Sequence, residues 1–146
     1  MTLVADIVKT KADHSVHTIG PAASVFEAVQ TMAQKNIGAL LVVDAGQVVG
    51  IVTERDYARK IVLLDRSSRV TPVRDIMASP VMYVLPSHTS AECMALMTEN
   101  RLRHLPVLND GKLIGLVSIG DLVKDIISEQ QFIIEQLQHY IAGQRG

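Results

Sequence analysis

Aromatic residues are scarce in this 146-residue sequence: three Tyr, two Phe and no Trp. A site built on aromatic stacking is therefore not expected, and the core has to be aliphatic. Cysteine is nearly missing as well. The one thiol, Cys93, cannot form an internal disulfide or a Cys-based zinc centre, which fits a reducing cytosol. Surplus positive charge is absent, with 14 Lys+Arg against 15 Asp+Glu, and this argues against nucleic-acid binding driven by phosphate neutralisation. No apolar run approaches the roughly 18 residues of a membrane helix. The N-terminus reaches Asp6 within six residues, so no signal peptide is expected and the cytoplasm is the expected compartment. What is plentiful is apolar: 48% of residues are hydrophobic, which excludes a disordered chain. The length allows one globular domain or two small lobes sharing a core.

The chain repeats itself. A shift of 65 residues aligns 16–62 with 81–127 without gaps and gives 11 identities in 47 positions, among them Pro21/Pro86, Glu27/Glu92, Gly46/Gly111, Gly50/Gly115 and Asp56/Asp121. A shorter match precedes each copy: Val4-Ala5-Asp6-Ile7-Val8 resembles Val73-Arg74-Asp75-Ile76-Met77. The polar stretch Asp65-Arg66-Ser67-Ser68-Arg69 reads as the linker.

Each copy carries the same pattern. An extended segment (Val16–Ile19; Val81–Leu85) leads to a helix over about 24–36 and 89–100. Ser24-x-x-Glu27 and Thr89-x-x-Glu92 have the capping-box form, which accounts for the Glu pair structurally. Two strands rich in β-branched residues follow, Ala39–Val43 with Gln47–Val52 and Leu105–Leu108 with Lys112–Val117. Asp44-Ala45-Gly46 and Asn109-Asp110-Gly111 supply the tight turns. A second helix follows Asp56 and Asp121. The expected fold class is α/β: two repeats of strand–helix–strand–strand–helix, related by a pseudo-two-fold axis, plus an extended C-terminal helix. The expected boundaries are 3–66, 73–130 and a helical extension over 131–146. Units of this size are marginal alone and should pack together, leaving two crevices where the copies meet, and ligands favour such boundaries.

The second strand of each hairpin ends in a recurring motif: Gly50-Ile51-Val52-Thr53-Glu54-Arg55-Asp56 and Gly115-Leu116-Val117-Ser118-Ile119-Gly120-Asp121. Taken singly, either motif is a helix N-terminus, capped by Thr53 or Ser118, with an acid at the positive end of the dipole. The functional reading adds chemistry. Free N–H groups at a helix start attract an anion. The hydroxyl can donate to a phosphate, and a carboxylate three residues on can accept from two neighbouring hydroxyls, as on a ribose. A glycine in the strand lets a flat ring approach the backbone. Together these features suit a nucleotide.

The duplicated unit with Gly-h-h-Thr/Ser-x-x-Asp (h apolar) resembles a tandem pair of CBS domains, regulatory modules named after cystathionine β-synthase. The resemblance covers about residues 3–130. It implies binding of an adenosine ligand: AMP, ADP or ATP, or a larger adenosyl compound such as NAD or S-adenosylmethionine. It carries ribose binding to Asp56 and Asp121, and places Thr53 and Ser118 near ribose or phosphate. It seats the adenine between Thr18-Ile19 and Gly38-Ala39 in one copy, and between Tyr83-Val84 and Arg103-His104 in the other. Basic residues from the opposite copy are implied for phosphate, so Arg103 and His104 would serve the nucleotide held by Thr53 and Asp56, beside Arg55. That crevice is expected to bind phosphorylated adenosine more tightly. The family also implies a homodimer.

Other chemistry finds little support. His14-x-x-His17 could offer two metal ligands, but no carboxylate or Cys completes the set at ligand spacing, so no metal site is expected. Cys93 aligns with Ala28 and reads as a small buried side chain. No nucleophile signature is present, so a binder is expected and not an enzyme. The tail from Leu122 to Ala142 repeats apolar residues at helical spacing, with Gly143 as its expected end, and such a face needs a partner surface. The expected function is a stand-alone sensor that binds adenine nucleotides without requiring a cofactor and signals to a separate protein. The alternative is a homodimerisation scaffold with no physiological ligand.

Overall fold

The computed structural model of the chain describes residues 2–11 and 16–145. The elements run α1 (Val4–Thr10), β1 (Thr18–Ile19), α2 (Val25–Lys35), β2 (Ala39–Asp44), β3 (Gln47–Thr53), α3 (Glu54–Tyr57), a π-helical turn (Ala58–Val62), a 3-10 turn (Val73–Asp75), α4 (Ser90–Asn100), β4 (His104–Asn109), β5 (Lys112–Ser118) and α5 (Ile119–Arg145). They group into two compact units. One is Met1–His14 with Val84–Val107 and Leu116–Gly146, and the other is Ser15–Tyr83 with Leu108–Gly115. His14, with the metal question it raised, lies outside the described residues.

The first repeat builds a three-stranded sheet in the order β1-β2-β3, with β1 parallel and β3 antiparallel to β2. Central strand β2 buries Ala39, Leu40, Leu41 and Val42 in succession, as a strand covered on both faces must. The hairpin turn places Ala45 at φ 50° and Gly46 at φ 79°. Two consecutive left-handed residues match the right-handed twist of the strands they join. The second repeat turns the same way at Asp110 and Gly111, φ 52° and 77°.

Helices α2 and α4 start and stop as their caps dictate. The Thr89 turn closes a full box with Glu92, while Ser24 makes the single Glu27 N–H to Ser24 Oγ bond. Both helices end on left-handed residues, Asn36 and Arg101.

The leading strand of the second repeat does not form. Val81–Leu85 shrinks to one parallel bridge, Val84 with Val107. The cause is a proline. In the first repeat the Leu41 N–H donates to His17 O at 3.4 Å beside β1. The aligned residue is Pro106, which has no N–H, so the one ladder bond left runs from Val84 N–H to Pro106 O at 3.0 Å.

The short matches that precede the repeats are exchanged between the cores. Val4 and Ile7 of α1 pack with Val84, Cys93, Met97, Leu105, Val107, Val117 and Leu122. Val73 and Ile76 pack with Val25, Ala28, Met32, Leu40, Val42, Val52 and Ile61. Each unit thus borrows its closing hydrophobic segment from ahead of the other copy.

Helix α5 has 27 residues and spans about 40 Å. Leu122 is fully buried, whereas Val123, Ile126, Ile127, Ile133, Ile134, Leu137 and Ile141 are 38–56% exposed. The helix does not stop at Gly143 but continues to Arg145. A glycine inside a helix costs about 1 kcal/mol, too little to force an end without a left-handed turn.

Candidate functional site

Both motif turns are built alike. At the end of β3, the Thr53 N–H donates to Asp56 Oδ2 at 3.0 Å, the Thr53 hydroxyl donates to the same oxygen at 3.0 Å, and the Asp56 N–H returns to Thr53 Oγ1 at 3.1 Å. At the end of β5, the Ser118 N–H donates to Asp121 Oδ2 at 2.8 Å and the Asp121 N–H donates to Ser118 Oγ at 3.1 Å. These are reciprocal capping boxes, so each motif acid satisfies the helix start that carries it. A second backbone bond also recurs at a shift of 65: Glu54 N–H to Gly38 O at 3.1 Å, and Ile119 N–H to Arg103 O at 2.9 Å.

The remaining expected site residues fall as follows. In one unit, Ala39 pairs with Thr53 across the β2–β3 ladder, and Gly38 lies beside Glu54, so Gly38, Ala39, Thr53 and Asp56 form one cluster. Thr18 and Ile19 sit one strand away, paired with Leu41 and Val42. Arg55 is exposed on α3. In the other unit, Arg103 and His104 lead into β4 beside the start of α5, with Ser118 and Asp121. Val84 is fully buried in that unit's core, and Tyr83 is 53% exposed.

The strand glycine has a different occupant from the ring envisaged above. A Cβ on Gly50 would collide with Met77 Sδ and lie 2.9 Å from Met77 Cγ and 3.1 Å from Ala78 O. The space above Gly50 is therefore filled by the segment that pairs Ala78 with Ile51.

Two cations meet the motif acids, and the motif reading did not contain either. Lys60 Nζ lies 3.6 Å from Asp56 Oδ1 and donates to Ile76 O at 2.9 Å. Its spacing of four from Asp56 on a helix was a usable signal. Lys11 Nζ lies 2.9 Å from Asp121 Oδ2 and donates to Leu116 O at 2.7 Å. Nothing local in sequence links Lys11 to Asp121.

Electrostatics follow. Burial alone would raise the Asp121 pKa, but the Ser118 amide and the Lys11 ammonium outweigh it and hold the carboxyl below the usual range. Burial holds the His104 imidazole below its ordinary value, reinforced by Lys11 and Arg103 and opposed by Asp121. Among the described residues, no group of three His, Cys, Asp or Glu is placed to hold a metal, and no helix is long and apolar enough to cross a membrane.

Comparison with known proteins agrees with this architecture. The CBS domain family model matches residues 4–63 and 73–128. A mitochondrial CBS domain-containing protein of Arabidopsis thaliana is 42% identical over 97% of this chain and 73% of its own. A CBS domain-containing protein of Bacillus subtilis is 31% identical over 89% of each chain. The solved structure of a protein with CBS domains from Burkholderia ambifaria superposes with a TM-score of 0.85, at 58% identity, over 88% of this chain and 96% of that one. Two family matches laid over two repeats that build the same turn from the same motif make this chain a member of the CBS-domain family, with its domains in tandem.

Proposed function

We propose that the chain is a regulatory module that binds adenosine-containing ligands at its two motif turns and passes the binding state to a separate partner. AMP, ADP, ATP and NAD-type compounds are the candidate ligands, with S-adenosylmethionine as a further one. The supporting observation is the duplication of one polar turn. Thr53 with Asp56 and Ser118 with Asp121 present a hydroxyl and a carboxylate in the same reciprocal capping turn, each carboxylate being less than a fifth exposed. A carboxylate so placed can accept from paired ribose hydroxyls, and charge-assisted bonds of that kind contribute roughly 1.5–3 kcal/mol. A CBS domain pair of 24% identity and TM-score 0.77 was solved with 5′-methylthioadenosine and S-adenosylmethionine. At that identity the likeness is one of fold, so the ligand class here rests on the motif residues.

Regulation requires that the ligand favour one conformation over another, since equal affinity shifts nothing. A homodimer is the expected state, with the apolar face of α5 as its contact. A relative of 28% identity, a CBS-CP12 protein from cyanobacteria, is a hexamer. The second reading, a dimerisation scaffold without ligand, draws on that same exposed face.

The test is thermal unfolding with AMP, ADP, ATP, NAD, S-adenosylmethionine and GTP, repeated with Asp56→Asn and Asp121→Asn. A ligand at 100 times its Kd adds about 2.7 kcal/mol to the folded state. Stabilisation by adenosine compounds, not by GTP, and reduced in the two variants, is the expected outcome. No shift with any compound at millimolar concentration would favour the scaffold.

A further inference from the structure

The two motif acids are neutralised by different elements. In the first repeat the cation is Lys60, from the helical turn that follows Asp56 itself, and it stays 3.6 Å from Oδ1. The position aligned with Lys60 in the second repeat is Asp125. That reversal of charge removes the local lysine and puts a second acid four residues after Asp121. Asp125 Oδ2 is buried without a hydrogen-bond partner among the described residues. The missing cation comes instead from Lys11, at the C-cap of α1.

Lys11 is held more firmly than Lys60. It is closer to its acid, 2.9 Å against 3.6 Å, and its side chain is less exposed, 25% against 43%. It also takes a different place. At Asp56 the second donor to Oδ2 is the neutral Thr53 hydroxyl; at Asp121 it is the Lys11 ammonium. Paired ribose hydroxyls that use both oxygens of Asp121 therefore meet, at Oδ2, an oxygen already bound by a cation, and taking it strips the ammonium of its acid. A half-buried ammonium needs another anion near it. A phosphorylated ligand carries that anion, whereas an uncharged nucleoside does not.

We propose that Lys11 is a built-in occupant of the Ser118/Asp121 site, displaced by adenosine ligands that bring a phosphate and retained against those that do not. Lys11 is a specificity-determining residue in this scheme. The proposal rests on the adenosine-ligand reading above and adds what the second site selects.

The experiment is calorimetric titration of the full chain with AMP and with adenosine, in an Asp56→Asn background that confines binding to the second site. Lys11→Met and Lys11→Gln are the variants, each checked for folding by its melting curve. AMP should bind more tightly than adenosine when Lys11 is present. Both variants should raise adenosine affinity by about ten- to a hundredfold, the range of one charge-assisted hydrogen bond. The AMP-to-adenosine ratio should fall towards one. Unchanged adenosine affinity in both variants, with the AMP preference intact, overturns the inference and leaves the ligand reading standing. Failure of every protein, including that with both lysine and Asp56 intact, to bind either compound rejects the ligand reading and this inference with it.

Discussion

Replacing Gly50 by alanine isolates one contact. Gly50 is buried in β3, and an added methyl would overlap the Met77 thioether and press on Ala78 O at 3.1 Å. The Met77 side chain can swing aside, but the Ala78 carbonyl belongs to a backbone paired with Ile51, with Ala78 N–H to Ile51 O at 2.9 Å and Ile51 N–H to Ala78 O at 3.1 Å. Relief must therefore come partly from moving a hydrogen-bonded segment. Overpacking of this kind costs about 1–3 kcal/mol. For a chain of this size that lowers the melting temperature by roughly 2–12 °C. The assay is calorimetric melting of Gly50→Ala, Met77→Ala and the double variant. The thioether part of the strain should vanish in the double variant, so its loss should be smaller than the sum of the two single losses. A Gly50→Ala protein that melts with the wild type, or losses that simply add, would refute the argument that the segment after the 3-10 turn fills the space above Gly50.

Two further outcomes follow from the geometry. Asp121 titrates lower in the folded chain than unfolded, so its stabilisation is complete above about pH 4 and is lost as pH falls through the folded value. His104 is also held low, so its contribution is complete above about pH 6.5 and declines as pH falls below it. Melting temperature should therefore drop in two acid steps, with His104→Gln flattening the upper and Lys11→Met the lower; a profile identical in both variants would contradict the assignment. Ile134→Glu, on the exposed face of α5, should convert the proposed dimer to monomer by light scattering while leaving the melting curve of dilute protein nearly unchanged, and an oligomer that survives it would place the interface elsewhere.

Much of the fold was legible because the duplication tested each local reading twice. The two hairpins, their left-handed turn pairs and the capped helices α2 and α4 all carry their signals within a few residues. The leading strand of the second repeat was misread because Pro106, not the strand itself, decides whether it pairs. Gly143 was misread as a stop because glycine permits a helix end without requiring one. At the motif turns, the hydroxyl, the acid and the helix cap were visible from their spacing of three, and the structure adds the return bond from the Thr53 and Ser118 N–H groups to the motif acids. The cations were only half legible. Lys60 shares a helix face with Asp56, whereas Lys11 reaches Asp121 because α1 packs in the second repeat's core, and no local pattern encodes that exchange.

That exchange sets an order of assembly. The core around Val25, Leu40 and Ile61 closes with Val73 and Ile76, so every buried member has been synthesised by residue 76. The core holding Val4 and Ile7 also needs Leu122, 118 positions after Val4 by subtraction. As the chain leaves the ribosome, α1 is made well ahead of the core it joins, which is complete only once Leu122 has been added. This helix is thus a late closing piece, and through Lys11 the charge beside Asp121 is set only when that piece has docked.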